Sequence, residues 1–186
     1  MEEILHQFSD KDFYIPKWKI KHLFIGTFNP KGGEKVKYYY GRETNKTWKI
    51  LSEIFKEQLN PNDKDFLAKI EKHGIACMDL IHSVTVCENN KQYICGKGYS
   101  DNKIINNYVT REYNTEKINK IISENLGLKI YSTWGEGSTL KEWIKQVSEI
   151  DNGIIKLKSP SMAAKVGKGV QKYPFMLNDW KNKILL

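Results

Sequence analysis

Short apolar runs alternate with amphipathic stretches along most of the chain. His22–Phe28 (HLFIGTF), Gly74–Ile81 (GIACMDLI), Lys129–Gly135 (KIYSTWG) and Gly153–Ser159 (GIIKLKS) are compact apolar runs bounded by turn residues, the pattern of buried strands. Between them, apolar positions recur at helical spacing. Asn45–Gln58 puts Trp48, Leu51, Ile54 and Phe55 on one face, and Asp63–Lys72 turns Phe66, Leu67 and Ile70 inward with Gly74 beyond its end as a stop. Further helices are predicted over Thr115–Asn125, Ser138–Val147 and Asn178–Leu185. From Val84 to Asn114 the chain makes a polar excursion, rich in Gly and Asn, whose middle follows neither period.

Strands separated by helices imply parallel pairing through right-handed crossovers. The expected fold is therefore α/β: one three-layer domain over residues 1–186, with a central, mainly parallel four-stranded sheet and helices on both faces. Ligands of such sheets bind beyond the carboxyl ends of the strands. Those ends read Thr27-Phe28-Asn29-Pro30, Met78-Asp79, Trp134-Gly135-Glu136 and Ser159-Pro160-Ser161, and the site is sought there.

Charge narrows the partner. The chain of 186 residues carries a formal net charge of +8. A basic surplus favours a polyanion through counterion release, although lysine-rich surfaces also serve solubility alone. The first residues, Met1–Ser9, are acidic and lack the apolar core of a signal peptide, and no apolar run is long enough to span a bilayer. A cytoplasmic protein that does not engage membranes is expected. The cysteines, Cys77, Cys87 and Cys95, are odd in number and form no Cys-x-x-Cys pair. Free thiols are expected, with no disulfide framework and no zinc or iron–sulfur site; no other metal and no cofactor is expected either. A phosphate-binding Gly-x-x-x-x-Gly-Lys-Ser/Thr loop is absent.

Two clusters carry candidate chemistry. In the first, Gly26 ends a strand, where a missing side chain permits close approach of a ligand to the backbone. Tyr40 offers a face on which a base can stack, and Asn45 stands where a helix begins. Its amide suits a water-orienting role or, more commonly, a plain helix cap. The second cluster, Lys158–Lys165 (KSPSMAAK), follows a strand and carries small hydroxyl residues suited to phosphate oxygens or to an ordinary turn.

Taken together, these clusters resemble the uracil-DNA glycosylase superfamily, most of all its mismatch-specific uracil/thymine and hypoxanthine branches. Gly26 and Asn45 are separated by the spacing of that superfamily's strand-end glycine and helix-start asparagine, and Tyr40 falls on its base-stacking aromatic. Asn45-Lys46-Thr47-Trp48 reads as Asn-x-x-Trp, with Thr47 in place of Phe. The run ending in Asp79 resembles the second-strand motif of the hypoxanthine branch, and Ser100–Ile104 resembles, weakly, a stretch that follows it. Ser159-Pro160-Ser161 falls where the family carries His-Pro-Ser or Asn-Pro-Ser. The resemblance covers about residues 20 to 185.

The resemblance implies a monofunctional DNA glycosylase of base-excision repair, which flips a damaged or modified base (uracil, hypoxanthine or a relative) out of single- or double-stranded DNA and hydrolyses its N-glycosidic bond. Phe28 stands where the mismatch-specific branch has its water-activating Asn, and Asn29 lies one residue beyond. The hypoxanthine branch uses the helix-start Asn instead, so Asn45 is the first choice for activating water and Asn29 the second. Gly26, Thr27, Phe28, Tyr40, Asp79 and Ser159 are expected at the base. Arg42, Ser161, Met162, Ala163, Lys165 and Lys168 are expected at the DNA backbone, with Met162 and Ala163 where the family carries a bulky wedge. The protein is expected to act as a monomer. The rival expectation is a non-catalytic nucleic-acid-binding module on the same fold.

Overall fold

A computed structural model of the chain describes residues 1–96, 101–104, 109–134, 141–150 and 153–185. Its principal sheet has four parallel strands in the order β3-β2-β6-β7, formed by β2 (His22–Gly26), β3 (Ile75–Asp79), β6 (Lys129–Ser132) and β7 (Ile155–Lys156). The helices are α1 (Thr47–Phe55), α2 (Phe66–Lys72), α3 (Lys91–Cys95), α4 (Asp101–Ile104), α5 (Thr115–Glu124), α6 (Lys141–Ile150) and α7 (Lys172–Ile184). The fold is thus α/β with a parallel sheet, as its alternating pattern predicts.

Packing explains why the strand runs are continuously apolar. Leu23, Phe24 and Ile25 of β2 are fully buried, because both faces of the strand are covered. Leu23 and Ile25 join Ala76, Met78, Ile130, Ile118 and Trp143 in one cluster. Phe24 joins Ile75, Cys77, Tyr131, Leu51, Ile70 and Trp180 in another. The period-two alternation of side chains sends neighbours on one strand into separate cores.

A second sheet went unread in the sequence. Here β1 (Glu2–Leu5), β4 (Ile81–Val86) and β5 (Val109–Tyr113) pair antiparallel in the order β1-β4-β5. The expected polar excursion therefore contains most of a strand pair, and the single run Gly74–Ile81 divides at Leu80 into β3 and the start of β4. A register shift between Ile81 and Ser83 breaks the alternation that would have revealed β4.

Other boundaries also differ. Helix α1 begins at Thr47 rather than Asn45, and β7 is only two residues long. Helix α7 starts six residues before the expected Asn178, because Pro174 falls in its first turn, where no intrahelical N–H is required. Leu67, expected inward, is 48% exposed, and Phe66 and Ile70 alone carry the inner face of α2. The expected Ser138 start of α6 and the Gly135 end of β6 lie outside the described residues; α6 runs on to Ile150. No helix among the described residues is long and apolar enough to cross a membrane.

Candidate active site

The carboxyl ends of the strands converge on a cavity of about 150 Å³. Its lining brings together Thr27, Phe28 and Asn29 after β2, Asp79 at the end of β3, Thr133 and Trp134 after β6, and Ser159, Pro160 and Ser161 after β7. Tyr40, Arg42, Thr44 and Asn45 come from the segment before α1, and Asp101 opens α4. An apolar cavity of about this volume holds one benzene ring, so the space suits a single planar ring.

Asp79 anchors the floor. The residue is only 2% exposed, and burying a charge without partners is expensive. Two donors meet one oxygen: His6 Nε2 at 2.9 Å and Asn29 Nδ2 at 2.8 Å, both on Oδ2. The His6 tautomer follows from its other nitrogen, because Nδ1 accepts the Phe8 N–H at 3.0 Å and the ring proton therefore sits on Nε2. His6 is fully buried among the rings of Phe8, Phe13, Phe28 and Tyr39, with centroids 5.1 to 5.8 Å away. The sequence reading missed His6 entirely. It sits just past a short strand near the chain start, and no motif ties it to Asp79 in a distant strand.

Gly26 has a different neighbour from the one its strand-end position suggested. A Cβ there would collide with Asp79 Oδ1 and lie 3.0 Å from the Tyr40 hydroxyl. The glycine makes room for two side chains of the protein itself. Tyr40 adopts φ of 56°, the left-handed region, which costs an L-residue about 1–2 kcal/mol. Its neighbour Tyr39 is tied down at both ends, by Trp48 Nε1 on its carbonyl at 2.7 Å and by its own hydroxyl on Phe13 O at 2.8 Å. The Thr133 hydroxyl gives its proton to Ile25 O at 3.1 Å, so in the 3.2 Å contact with Tyr40 the tyrosine donates. Burial, first of all, pushes the Tyr40 hydroxyl well above the usual tyrosine range and keeps it a donor.

The two asparagines line the same cavity with opposite commitments. Asn45 Oδ1 accepts the Thr47 N–H at 2.9 Å, so it serves the start of α1 much as a capping residue does. Asn29 instead spends its NH2 on Asp79, and no described residue donates to its Oδ1. Thr27 Oγ1 donates to Asp101 at 3.0 Å, which brings the weakest of the sequence matches into the site. Ser100 lies outside the described residues, as do Gly135 and Glu136.

The Ser159 loop is held against the α1 entry. Asn45 and Ser161 form an isolated antiparallel bridge, flanked by Lys46 N–H on Pro160 O at 3.0 Å and Met162 N–H on Thr44 O at 3.1 Å. Helix α7 fixes the loop from behind: Asp179 accepts the Lys158 N–H at 2.8 Å, and Trp180 Nε1 donates to Lys158 O at 2.8 Å. Lys172 donates to Met162 O at 2.8 Å. Met162 and Ala163 are outside the cavity lining, and Lys165 and Lys168 are exposed.

No protein-family profile matches this chain, and no curated protein matches it. The functional reading therefore stands on the geometry. Phe28, expected at the base, lines the cavity but also packs into the core cluster of β2, at 2% exposure. Trp134, noted in the sequence only as part of a strand end, is a third aromatic residue of the lining beside Phe28 and Tyr40. Among the described residues no cluster of three or more His, Cys, Asp or Glu is arranged to hold a metal ion.

Proposed function

We propose that this cavity is the base pocket of a monofunctional DNA glycosylase of the uracil-DNA glycosylase superfamily, working on a damaged or modified base flipped out of DNA. The observation that carries the reading is the convergence of Tyr40, Asn29, Asn45, Asp79 and Ser159, chosen from four separate sequence segments, on one ring-sized cavity. In this reading the domain is a single three-layer unit with the parallel sheet in its centre, active as a monomer.

The reaction breaks the bond between C1′ and the base nitrogen while a water oxygen bonds to C1′. One water proton leaves to the expelled base, and the sugar keeps the hydroxyl. Positive charge builds on the sugar and negative charge on the base. Stacking on Tyr40, worth about 1–3 kcal/mol per base, offsets part of the cost of flipping. The hydrogen bonding favours Asn29 over Asn45 as the water acceptor. Anchored through its NH2 to Asp79, Asn29 has its carbonyl uncommitted, whereas the Asn45 carbonyl already receives an N–H. Ser159 and Ser161 flank the opening as phosphate partners, and Lys165 and Lys168 add sequence-independent attraction. Because the proposed chemistry uses water and no lysine nucleophile, it leaves an intact strand with an abasic sugar.

The test is a panel of oligonucleotides carrying single altered bases, incubated with protein and then treated with alkali. The reading predicts strand breaks that depend on alkali, fall at least about a hundredfold in Asn29→Ala, and fall less in Asn45→Ala. Breaks abolished by Asn45→Ala but retained in Asn29→Ala transfer the water to Asn45. Salt-sensitive binding without any breaks leaves a non-catalytic binding module.

A further inference from the structure

Asn29 is gripped through its main chain and through its side chain, and both grips lead back to the start of the protein. The end of β1 and the two residues after it, Leu5–Gln7, lie between β4 and the loop that carries Asn29. On one side the His6 N–H donates to His82 O at 2.9 Å. On the other, the Gln7 N–H donates to Asn29 O at 2.6 Å and the Lys31 N–H donates to Leu5 O at 2.9 Å, around an antiparallel bridge between His6 and Pro30. The Gln7 side chain extends the hold: Nε2 donates to Glu34 O at 3.1 Å, and Oε1 accepts the Val36 N–H at 2.9 Å. The main chain of Asn29 is thus fixed by a segment from outside the parallel sheet.

The side chain is fixed by the same segment, one step removed. An Asn amide has two ends of similar shape and opposite hydrogen-bonding sense. A carboxylate oxygen only accepts, so Asp79 Oδ2 takes the NH2 end at 2.8 Å and leaves the carbonyl as the uncommitted end. Oδ2 is itself held by His6 Nε2 at 2.9 Å. An unprotonated Nε2 there would set lone pair against lone pair. The Phe8 N–H on Nδ1, at 3.0 Å, excludes that tautomer. A main-chain donor at Phe8 therefore fixes the His6 tautomer, His6 holds Asp79, and Asp79 decides which end of the Asn29 amide is left over.

We infer that Leu5–Gln7 belongs to the hydrolytic machinery, with His6 as a positioning residue that acts through Asp79 on Asn29. The inference rests on the glycosylase reading, in which the Asn29 carbonyl accepts from water, and adds the device that aims this acceptor. Aiming matters because a misplacement of about 1 Å can cost about a hundredfold in rate. His6 is fully buried, so its contribution reaches the cavity only through the groups it holds.

The experiment compares two amides in place of the imidazole. In His6→Gln the amide nitrogen reaches the place of Nε2 and donates to Asp79; in His6→Asn it reaches only as far as Nδ1. Each full-length variant, in excess, is incubated with oligonucleotides carrying uracil, hypoxanthine or mismatched thymine. The single-turnover rate of base release is read beside the Kd for an oligonucleotide with a tetrahydrofuran abasic analogue. His6→Asn is expected to release base at least about tenfold more slowly than wild type with Kd changed by less than about twofold, and His6→Gln to recover most of the rate. In an Asn29→Ala background His6→Asn is expected to slow release by less than about threefold further, because the group it aims is gone. A wild-type rate in folded His6→Asn, a loss carried by Kd instead of the rate, or losses that multiply in the double variant overturn the inference and leave the glycosylase reading intact. Release of no base by the wild type overturns both. Where neither amide variant folds, hydrogen exchange of the Asn29 side-chain NH2 in the wild type decides, followed by nitrogen-edited NMR. Exchange much slower than that of the exposed Asn62 is expected, and exchange as fast overturns the inference.

Discussion

His6 Nε2 donates to Asp79 Oδ2 across 2.9 Å, joining a residue beside the second, antiparallel sheet to the end of a parallel strand. The contact links the two sheets at the floor of the cavity. It is also buried at both ends, with side-chain exposures of 0% and 3%. Removing it by His6→Ala leaves the carboxylate with Asn29 as its remaining donor and opens a void among four aromatic rings. The expected loss is about 2–4 kcal/mol of stability, from the lost hydrogen bond to the carboxylate and the cavity together. Urea unfolding measures it. A loss below about 0.5 kcal/mol would show that the pair holds nothing in place.

Gly26→Ala is expected to be costly without touching any ligand. The new methyl group meets Asp79 Oδ1 and the Tyr40 hydroxyl, two side chains each tied to a partner. Overpacking of this kind costs about 1–3 kcal/mol. It also displaces the acceptor that faces the cavity, so base release should fall more than stability alone accounts for. Full activity in a folded Gly26→Ala protein would contradict the geometry.

His22 gives the fold a pH dependence that is separate from the site. Burial in the first place, and then the charges of Lys129 and Lys21, hold its pKa down at about 4, below the ordinary 6.5. Between those values the unfolded chain binds the proton and the folded chain does not. The contribution of His22 is therefore complete above about pH 6.5 and is lost progressively as pH falls toward 4. Comparing urea midpoints at pH 7.5 and 4.5 for wild type and His22→Gln isolates it, since the other titrating groups are common to both. The wild type should lose more stability on acidification than the variant, and equal losses would refute the assignment.

Much of the cavity was legible in the sequence, and the reason is topological. Parallel strands bring their carboxyl ends to one edge, so the residues after each apolar run become neighbours however far apart they lie in the chain. Thr27, Asn29, Asp79 and Ser159 were found in this way. His6 was not, because a buried histidine is marked by its three-dimensional partners and not by spacing. The antiparallel sheet was hidden for a related reason: β1 pairs Glu2 with Val86, and the shift at Ile81/Ser83 disturbs the alternation in β4. Nor does spacing reveal how Asn29 and Asn45 spend their amides, since that depends on which neighbour each side chain reaches.

Lys165 and Lys168 are exposed beyond the Ser159 loop and lie away from the cavity lining. If they meet phosphates, each change to Ala should lower the salt dependence of DNA binding by about one unit in log–log slope and weaken binding evenly across sequences. Fluorescence anisotropy over a range of salt concentrations reads this directly. An unchanged slope would remove the lysines from the DNA interface.

The central claim is that this cavity hydrolyses an N-glycosidic bond, and the direct measurement is of both products at once. Oligonucleotides carrying oxo and amino bases are incubated with the protein, free base is quantified by mass spectrometry, and abasic sugars are counted with an aldehyde-reactive probe. The account predicts free base and abasic sites in equal amounts, strands that stay intact until alkali is added, and loss of both products in Asn29→Ala. Salt-sensitive DNA binding with neither product, for every base in the panel, would contradict it.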